Sequence, residues 1–420
     1  MASLSIAPQA DASDNMLPAS LAVSGKANVA LRTPEDFFAA AAALIPQLEQ
    51  NAAAAEKLRR LPDENIRVLI DSGVLEVFRP SLYGGAELGY DVMMKICAIL
   101  ARGCTATAWV AMVYMMHYWF LAMLPREGQD IVFGSGDAIA SPGVFNTIGA
   151  KARRVEGGYM LSGRWKFASG APHSNWACLS GKVEEAGAEP QALQFVVPRK
   201  DYDVEDSWYC IGLRATGSAD IVIEDEVFVP SELTSDMALL AQGTSPGAAL
   251  HEGLAYKLPC VPAFNIGAAS PAIGLTRGAI ALFKNKIRTR VRAFTAAKQS
   301  ESPAAMMRLG TAVIELDAAE GLLERAIAEL EEAVRSGEGV DTELRARMRM
   351  VSAHVPAVCK AVVTSIVEAS GASAMFDDSP LGRALRDVST ICTHHTLDYD
   401  GGPENYGRVL MGLAPSNPMT

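Results

Sequence analysis

Twenty consecutive residues, 105–124 (TATAWVAMVYMMHYWFLAML), carry no formal charge. A helix over them has no polar side to turn towards water. It must cross a bilayer or sit inside a protein with partners on every side. The run is rich in alanine, methionine and tyrosine, carries His117 and stands alone, so a buried central helix is the better reading. Trp109 and His117 lie two turns apart on neighbouring faces of it. A neutral histidine in such a place is ordinarily a satisfied core residue, and position alone does not make it catalytic.

The second constraint is a β island between long helical flanks. Gly157-Gly158 predicts a tight hairpin turn, because glycine supplies the positive φ angles that such turns need. A second turn at Ser162-Gly163 leads into a strand whose alternation places Trp165 and Phe167 on one face. That strand breaks at Ser169-Gly170, where a hydroxyl and bare backbone let a planar ligand approach. Further strand-length segments follow at 194–197, 220–224 and 227–230. Between them, loop 212–218 (GLRATGS) offers backbone N–H groups and hydroxyls. No GxGxxG motif follows a strand, which argues against a doubly wound dinucleotide fold.

The flanks read as helices with identifiable ends. Residues 1–32 are Ala/Ser/Pro-rich and aperiodic, a loose arm. Thr33-Pro34-Glu35-Asp36 has the N-cap, first-turn proline and early acids of a helix start, and that helix runs to about 58. A second opens at Pro62-Asp63-Glu64 and stops at Gly73, and a third covers 90–102. After about 260 the chain is helical again, over 273–294, 303–336, 343–369 and roughly 381–395. The division is an arm (1–32), a helical domain (33–134), a β domain (135–240) and a helical bundle domain (241–420), consistent with more than one core in 420 residues.

Composition excludes several classes. A net charge of −11 with no dense Lys/Arg tract disfavours nucleic acid and anionic membrane. Seven scattered cysteines without CxxC spacing suggest reduced thiols in a cytoplasm, and the N-terminus lacks a signal-peptide pattern. No HExxH-type spacing suggests a metal site. The adjacent His394 and His395 would point about 100° apart on a helix. Arg288, Arg290 and Arg292 form a basic cluster that suits a phosphate or carboxylate, or simply a solvated helix face.

The order of helices, β island and four long helices resembles the acyl-CoA dehydrogenase fold from about 34 to 410. That implies a mostly α, α+β architecture with an N-terminal helical domain, a central barrel-like β domain and a C-terminal four-helix bundle. Segments 163–170 (GRWKFASG) and 212–218 are similar to that superfamily's flavin-cradling loops. The chain more closely resembles the flavin-dependent monooxygenases that receive reduced flavin from a separate reductase, of the p-hydroxyphenylacetate, secosteroid-phenol, dibenzothiophene and indole type.

The resemblance implies roles residue by residue. Trp109 would border the flavin, and His117, in His117-Tyr118-Trp119, would face the substrate. Ser169 would bond near flavin N5, and Ser141 would touch the flavin from the preceding segment. Arg292, with Phe294 beside it, would serve the phosphate side. Gly371 and Ser373 belong to a loop that would approach the flavin phosphates from another subunit of a homotetramer. The Arg386-Asp387 pair followed by His394 matches the oxygenase pattern; apart from the resemblance, the spacing of seven residues, about two turns, permits Asp387 to stand on the same helix face as His394 and orient its ring. Many acyl-CoA dehydrogenases carry a catalytic glutamate where this chain reads His394-His395-Thr396-Leu397.

The implied activity is a two-component monooxygenase. It would use reduced flavin (FADH2 or FMNH2) from an NAD(P)H-dependent reductase and O2, through a C4a-hydroperoxyflavin, to hydroxylate a small phenol- or indole-like compound. The alternatives are an acyl-CoA dehydrogenase-like enzyme oxidising a thioester, or a helical scaffold without flavin.

Overall fold

The computed structural model describes residues 15–184, 187, 189–291 and 298–417, so Arg292 and Phe294 lie outside the described residues. Helix α1 (Pro34–Leu58) begins with a capping box: the Thr33 hydroxyl accepts the Asp36 N–H and the Asp36 carboxylate accepts the Thr33 N–H. Helix α2 (Asp63–Ser72) ends at Gly73, whose φ of 76° is left-handed. Helix α3 (Tyr90–Leu100), α4 (Thr105–Ala122) and α5 (Arg126–Phe133) complete the first half. All 18 residues of α4 are buried. The charge-free run is a core helix, wrapped by α3, the β island and the later helices.

The β island holds β1 (Gly143–Val144), β2 (Ala150–Val155), β3 (Gly158–Ala168), β4 (Trp176–Val183), β5 (Gln191–Pro198), β6 (Asp203–Glu205), β7 (Ala219–Pro230) and β8 (Thr234–Asp236). Their order is β6-β7-β3-β2-β4-β5-β8, with β1 beside β4. Strands β6 and β8 end this path and do not pair with each other, so the sheet is open. The barrel-like expectation is thereby corrected.

Three local expectations also change. The hairpin turn is Glu156-Gly157, with Gly157 at φ 75°, while Gly158 already pairs with Val155. Gly158 is bare for a different reason: a Cβ there would sit 2.3 Å from the Val229 carbonyl oxygen. Ser162-Gly163 is no turn, because β3 runs through it with a bulge between Leu161 and Gly163. A second irregularity between Trp165 and Ala168 turns Phe167 to φ 68°. Trp165 is 1% exposed and Phe167 69%, so the two rings do not share a face. The segments expected at 220–224 and 227–230 are one continuous strand, β7.

Helix α6 (Met237–Gln242) leads to α7 (Cys260–Thr289), α8 (Pro303–Arg335), α9 (Thr342–Ser370), α10 (Pro380–Ile391) and α11 (Gly401–Leu410). Helix α7 starts well before the expected 273, running through Pro262, Gly267 and Pro271. Its Gly274 allows a close crossing, since a Cβ would lie 2.1 Å from the Ala98 carbonyl oxygen. By length and composition α7 and α9 are apolar enough to cross a membrane, but 78% and 56% of their apolar windows are buried inside the fold. Helix α10 stops at Ile391, so the expected helix over 381–395 ends short of His394.

Candidate active site

Trp109 on α4 faces the end of β3, and its indole N–H donates to Ser169 Oγ at 3.2 Å. Ser169 Oγ lies 2.7 Å from Ser218 Oγ, which lies 2.7 Å from Thr216 Oγ1. Thr216 Oγ1 donates to the Leu213 carbonyl at 2.8 Å. The Thr216 carbonyl accepts the Gly170 N–H at 2.8 Å, and Tyr114 donates its hydroxyl to the Gly170 carbonyl at 2.6 Å. The two loops singled out in the sequence are thus stitched to each other and to α4. Gly170 must be glycine, for its φ is 83° and a Cβ would strike the Tyr114 ring at 2.7 Å.

His394 packs edge-on against Trp109 with ring centroids 5.3 Å apart. It lies beyond α10, in a turn where Nδ1 is 2.8 Å from Thr396 Oγ1 and faces the Thr396 N–H at 3.4 Å. An N–H can only donate, so Nδ1 accepts, and a neutral His394 carries its proton on Nε2. Burial first, then the neighbouring His395 and Arg349, drives its pKa down to about 3. His395 stacks beside it, with centroids 4.6 Å apart and planes at 35°, rather than pointing away around a helix.

Buried Arg349 on α9 holds this turn by donating to the carbonyls of Thr396 (2.9 Å), His395 (2.9 Å) and Asp398 (3.0 Å). Arg349 gave no local sequence signal, because its partners are brought to it by the fold.

The expectation that Asp387 orients His394 is corrected. Asp387 points to the other loop, where Oδ1 accepts the Leu213 N–H at 2.7 Å. Leu213 is a non-glycine residue at φ 48°, and its carbonyl accepts from the Thr216 N–H, the Thr216 hydroxyl and Trp208 Nε1. Burial raises the Asp387 pKa to about 7, against the pull of the Leu213 N–H.

His117 occupies the other part of α4, eight residues and roughly 12 Å along the axis from Trp109. Its Nδ1 is 2.6 Å from the Val113 carbonyl, which can only accept, so Nδ1 carries the proton and Nε2 offers a lone pair. Nε2 is buried without a hydrogen-bond partner. Burial lowers the His117 pKa to about 4, with the Val113 bond opposing.

Phe120, Phe145 and Phe264 surround that ring at centroid distances of 5.5, 6.0 and 6.1 Å. Gly143 gives Nε2 its room, since a Cβ there would lie 2.0 Å away. Only Phe120, three residues on from His117, had a helical spacing that could have revealed it.

The remaining candidates lie apart. Ser141 Oγ is 3.5 Å from Cys178 Sγ, inside the sheet, and does not join the Ser169 cluster. Gly371 and Ser373 sit against the end of α7: Arg290 donates to the Ala369 carbonyl at 3.1 Å, Lys286 reaches Ser373 Oγ at 3.0 Å, and a Cβ on Gly371 would collide with the Arg290 guanidinium. Two cations converge on this turn, which suits an anion such as a phosphate. The residues present thus offer, at separate places, the kinds of group that a planar, phosphate-bearing molecule requires: a free acceptor on Ser169, a partnerless Nε2 on His117 and two cations at the Gly371 turn.

Residues 266–399 match the family Acyl-CoA dehydrogenase, C-terminal domain. The chain is 34% identical to a pigment production hydroxylase of Rhodococcus sp. (strain ATCC 21145), over 90% of this chain and 96% of that one. It is 30% identical to the flavin-dependent monooxygenase oxygenase subunit HsaA of Mycobacterium tuberculosis (strain ATCC 25618 / H37Rv), over 92% and 98%. The solved structure of XiaF from Streptomyces sp. in complex with FADH2 and glycerol superposes with a TM-score of 0.84 at 29% identity, over 92% of this chain and 97% of that one. The thioester alternative finds no such support. With that identity sustained over nearly its whole length, the chain belongs to the flavin-dependent monooxygenase oxygenase components built on the acyl-CoA dehydrogenase fold.

Proposed function

We propose that this protein hydroxylates a small phenol- or indole-like compound with O2, using reduced flavin delivered by a separate NAD(P)H-dependent reductase. The observation that carries the reading is the opposite tautomer that hydrogen bonding imposes on each buried histidine. His117 presents a lone pair at Nε2 inside an aromatic cluster, suited to accept the proton of a ring hydroxyl or indole N–H. His394 offers a proton at Nε2 beside Trp109, suited to donate where oxygen is cleaved. Reduced flavin, when bound, supplies the electrons that activate O2.

Ser169, Trp109 and the turn at Gly371 and Ser373 would hold the flavin, with Ser141 a more remote contact. Lys286 and Arg290 would take the phosphate end, in company with the undescribed Arg292 and Phe294. Phe120, Phe145 and Phe264 would exclude water from the substrate. We further read residues 33–134, 135–240 and 241–420 as the three structural units, and a cytoplasmic homotetramer as the working form.

The test is to supply chemically reduced FMN or FAD, isotopically labelled O2 and a panel of phenols and indoles. One labelled oxygen atom per product molecule is expected. If every compound leaves all the oxygen as hydrogen peroxide, or if an acyl-CoA is dehydrogenated instead, the reading fails.

A further inference from the structure

Three hydroxyl groups and one indole form a chain with a carbonyl at its far end. Each hydroxyl has one proton to give, which fixes the direction of every bond. The Leu213 carbonyl can only accept, so Thr216 spends its proton there. Thr216 must then accept from Ser218, and Ser218, its proton used, must accept from Ser169. Ser169 donates inward and accepts from Trp109, whose N–H has no other role. The order Trp109, Ser169, Ser218, Thr216, Leu213 therefore runs one way throughout, and such chains strengthen their members. Thr216 and Ser218 are both buried, so water does not scramble the order. Ser169 keeps one free lone pair and no free proton.

We propose that Thr216 and Ser218 are positioning residues that make Ser169 an acceptor only, so that the site selects reduced flavin over oxidised flavin. This rests on the flavin reading of the preceding subsection. Reduced flavin carries a hydrogen on N5 and can donate it to Ser169. Oxidised flavin has a lone pair at N5, which meets another lone pair. Leu213 is the anchor of the order, held in its left-handed conformation by Asp387 from α10.

The experiment measures affinity for FMN and FAD in both redox states, by anaerobic titration of the intact protein, in the parent, T216V and S218A. In T216V, Ser218 loses its acceptor and can turn its proton towards Ser169, which frees Ser169 to donate outward. In S218A, Ser169 is freed directly. One neutral hydrogen bond implies that the ratio of reduced to oxidised affinity falls roughly twofold to tenfold in each variant. A tenfold fall lowers the midpoint potential of the bound flavin by about 30 mV for a two-electron couple. T216S keeps the hydroxyl and should retain the parent ratio.

Equal weakening of both redox states, with the ratio and potential unchanged, would overturn the proposal and leave the chain a structural strut. A parent that binds reduced flavin but shows no preference over the oxidised form would overturn it as well. A parent that binds neither state refutes the flavin reading itself, a distinct outcome.

Discussion

At the scale of single residues, the two histidines are held neutral by burial and assigned opposite tautomers by one backbone group each. His117→Ala and His394→Ala should both uncouple the enzyme, with O2 still consumed and product yield down by about 10²-fold or more, as loss of acid or base assistance implies. Product and peroxide measured together check this, and normal coupling in both variants would refute the histidine roles. His395→Ala alone being crippled would move the donor by one residue.

The His117 pKa of about 4 lies below the ordinary 6.5, so between those values the unfolded chain binds a proton that the fold refuses. Stability is thus lost as pH falls through that window. Melting temperature should fall more steeply for the parent than for H117Q across it, and parallel curves would contradict the burial argument. Ser169→Ala should weaken flavin binding at most about tenfold, since one neutral bond is lost, while the share of oxidised flavin that ends as hydrogen peroxide rises even at saturating flavin, where affinity no longer limits. Unchanged peroxide yield would reduce Ser169 to a turn residue.

At the scale of elements, the informative link is α10 to the loop after β6. The carboxylate expected to serve His394 instead holds Leu213, 174 positions away in sequence. Its pKa of about 7 is raised above an unfolded value of about 3.9, so the fold keeps a proton that the unfolded chain has released. Stability from this group is therefore lost as pH rises from about 4 through about 7. Asp387→Asn keeps an oxygen acceptor without titrating, and its melting temperature should gain on the parent's as pH goes from about 5 to 8. A difference independent of pH would sink the assignment. Asp387→Ala should cost about 1–3 kcal/mol, because the Leu213 N–H is left buried and unpaired.

Strand β3 carries a different lesson. Period-two alternation would pair Trp165 with Phe167, but the bulge before Ala168 breaks the alternation and leaves the second ring outside.

At the scale of the whole molecule, α9 is largely covered by α7, α8, α10 and α11 of its own chain, so its apolar periodicity alone does not require a partner. Exposed apolar side chains are scattered over the surface, and among them α8 carries Met307, 72% exposed, and Ile314, 67% exposed, seven residues apart on one face. We expect a homotetramer in solution that uses this face, and Ile314→Asp should shift light scattering to smaller species. A parent that scatters as a monomer at micromolar concentration would refute the assembly.

The sequence by itself determined the elements whose causes are local. The Thr33 capping box, the stop at Gly73, the strand break at Ser169-Gly170 and the absence of any polar face on α4 all follow from residues within the same short stretch. Only the tertiary structure decided that β6 and β8 leave the sheet open, that His394 falls outside α10, and that Arg349 holds its turn. It also decided that Asp387 serves Leu213 and that three hydroxyls align from Ser169 to one carbonyl. Hydrogen bonds between distant segments depend on how packed helices and strands bring those segments together, and neither local propensity nor spacing along the chain encodes that distance.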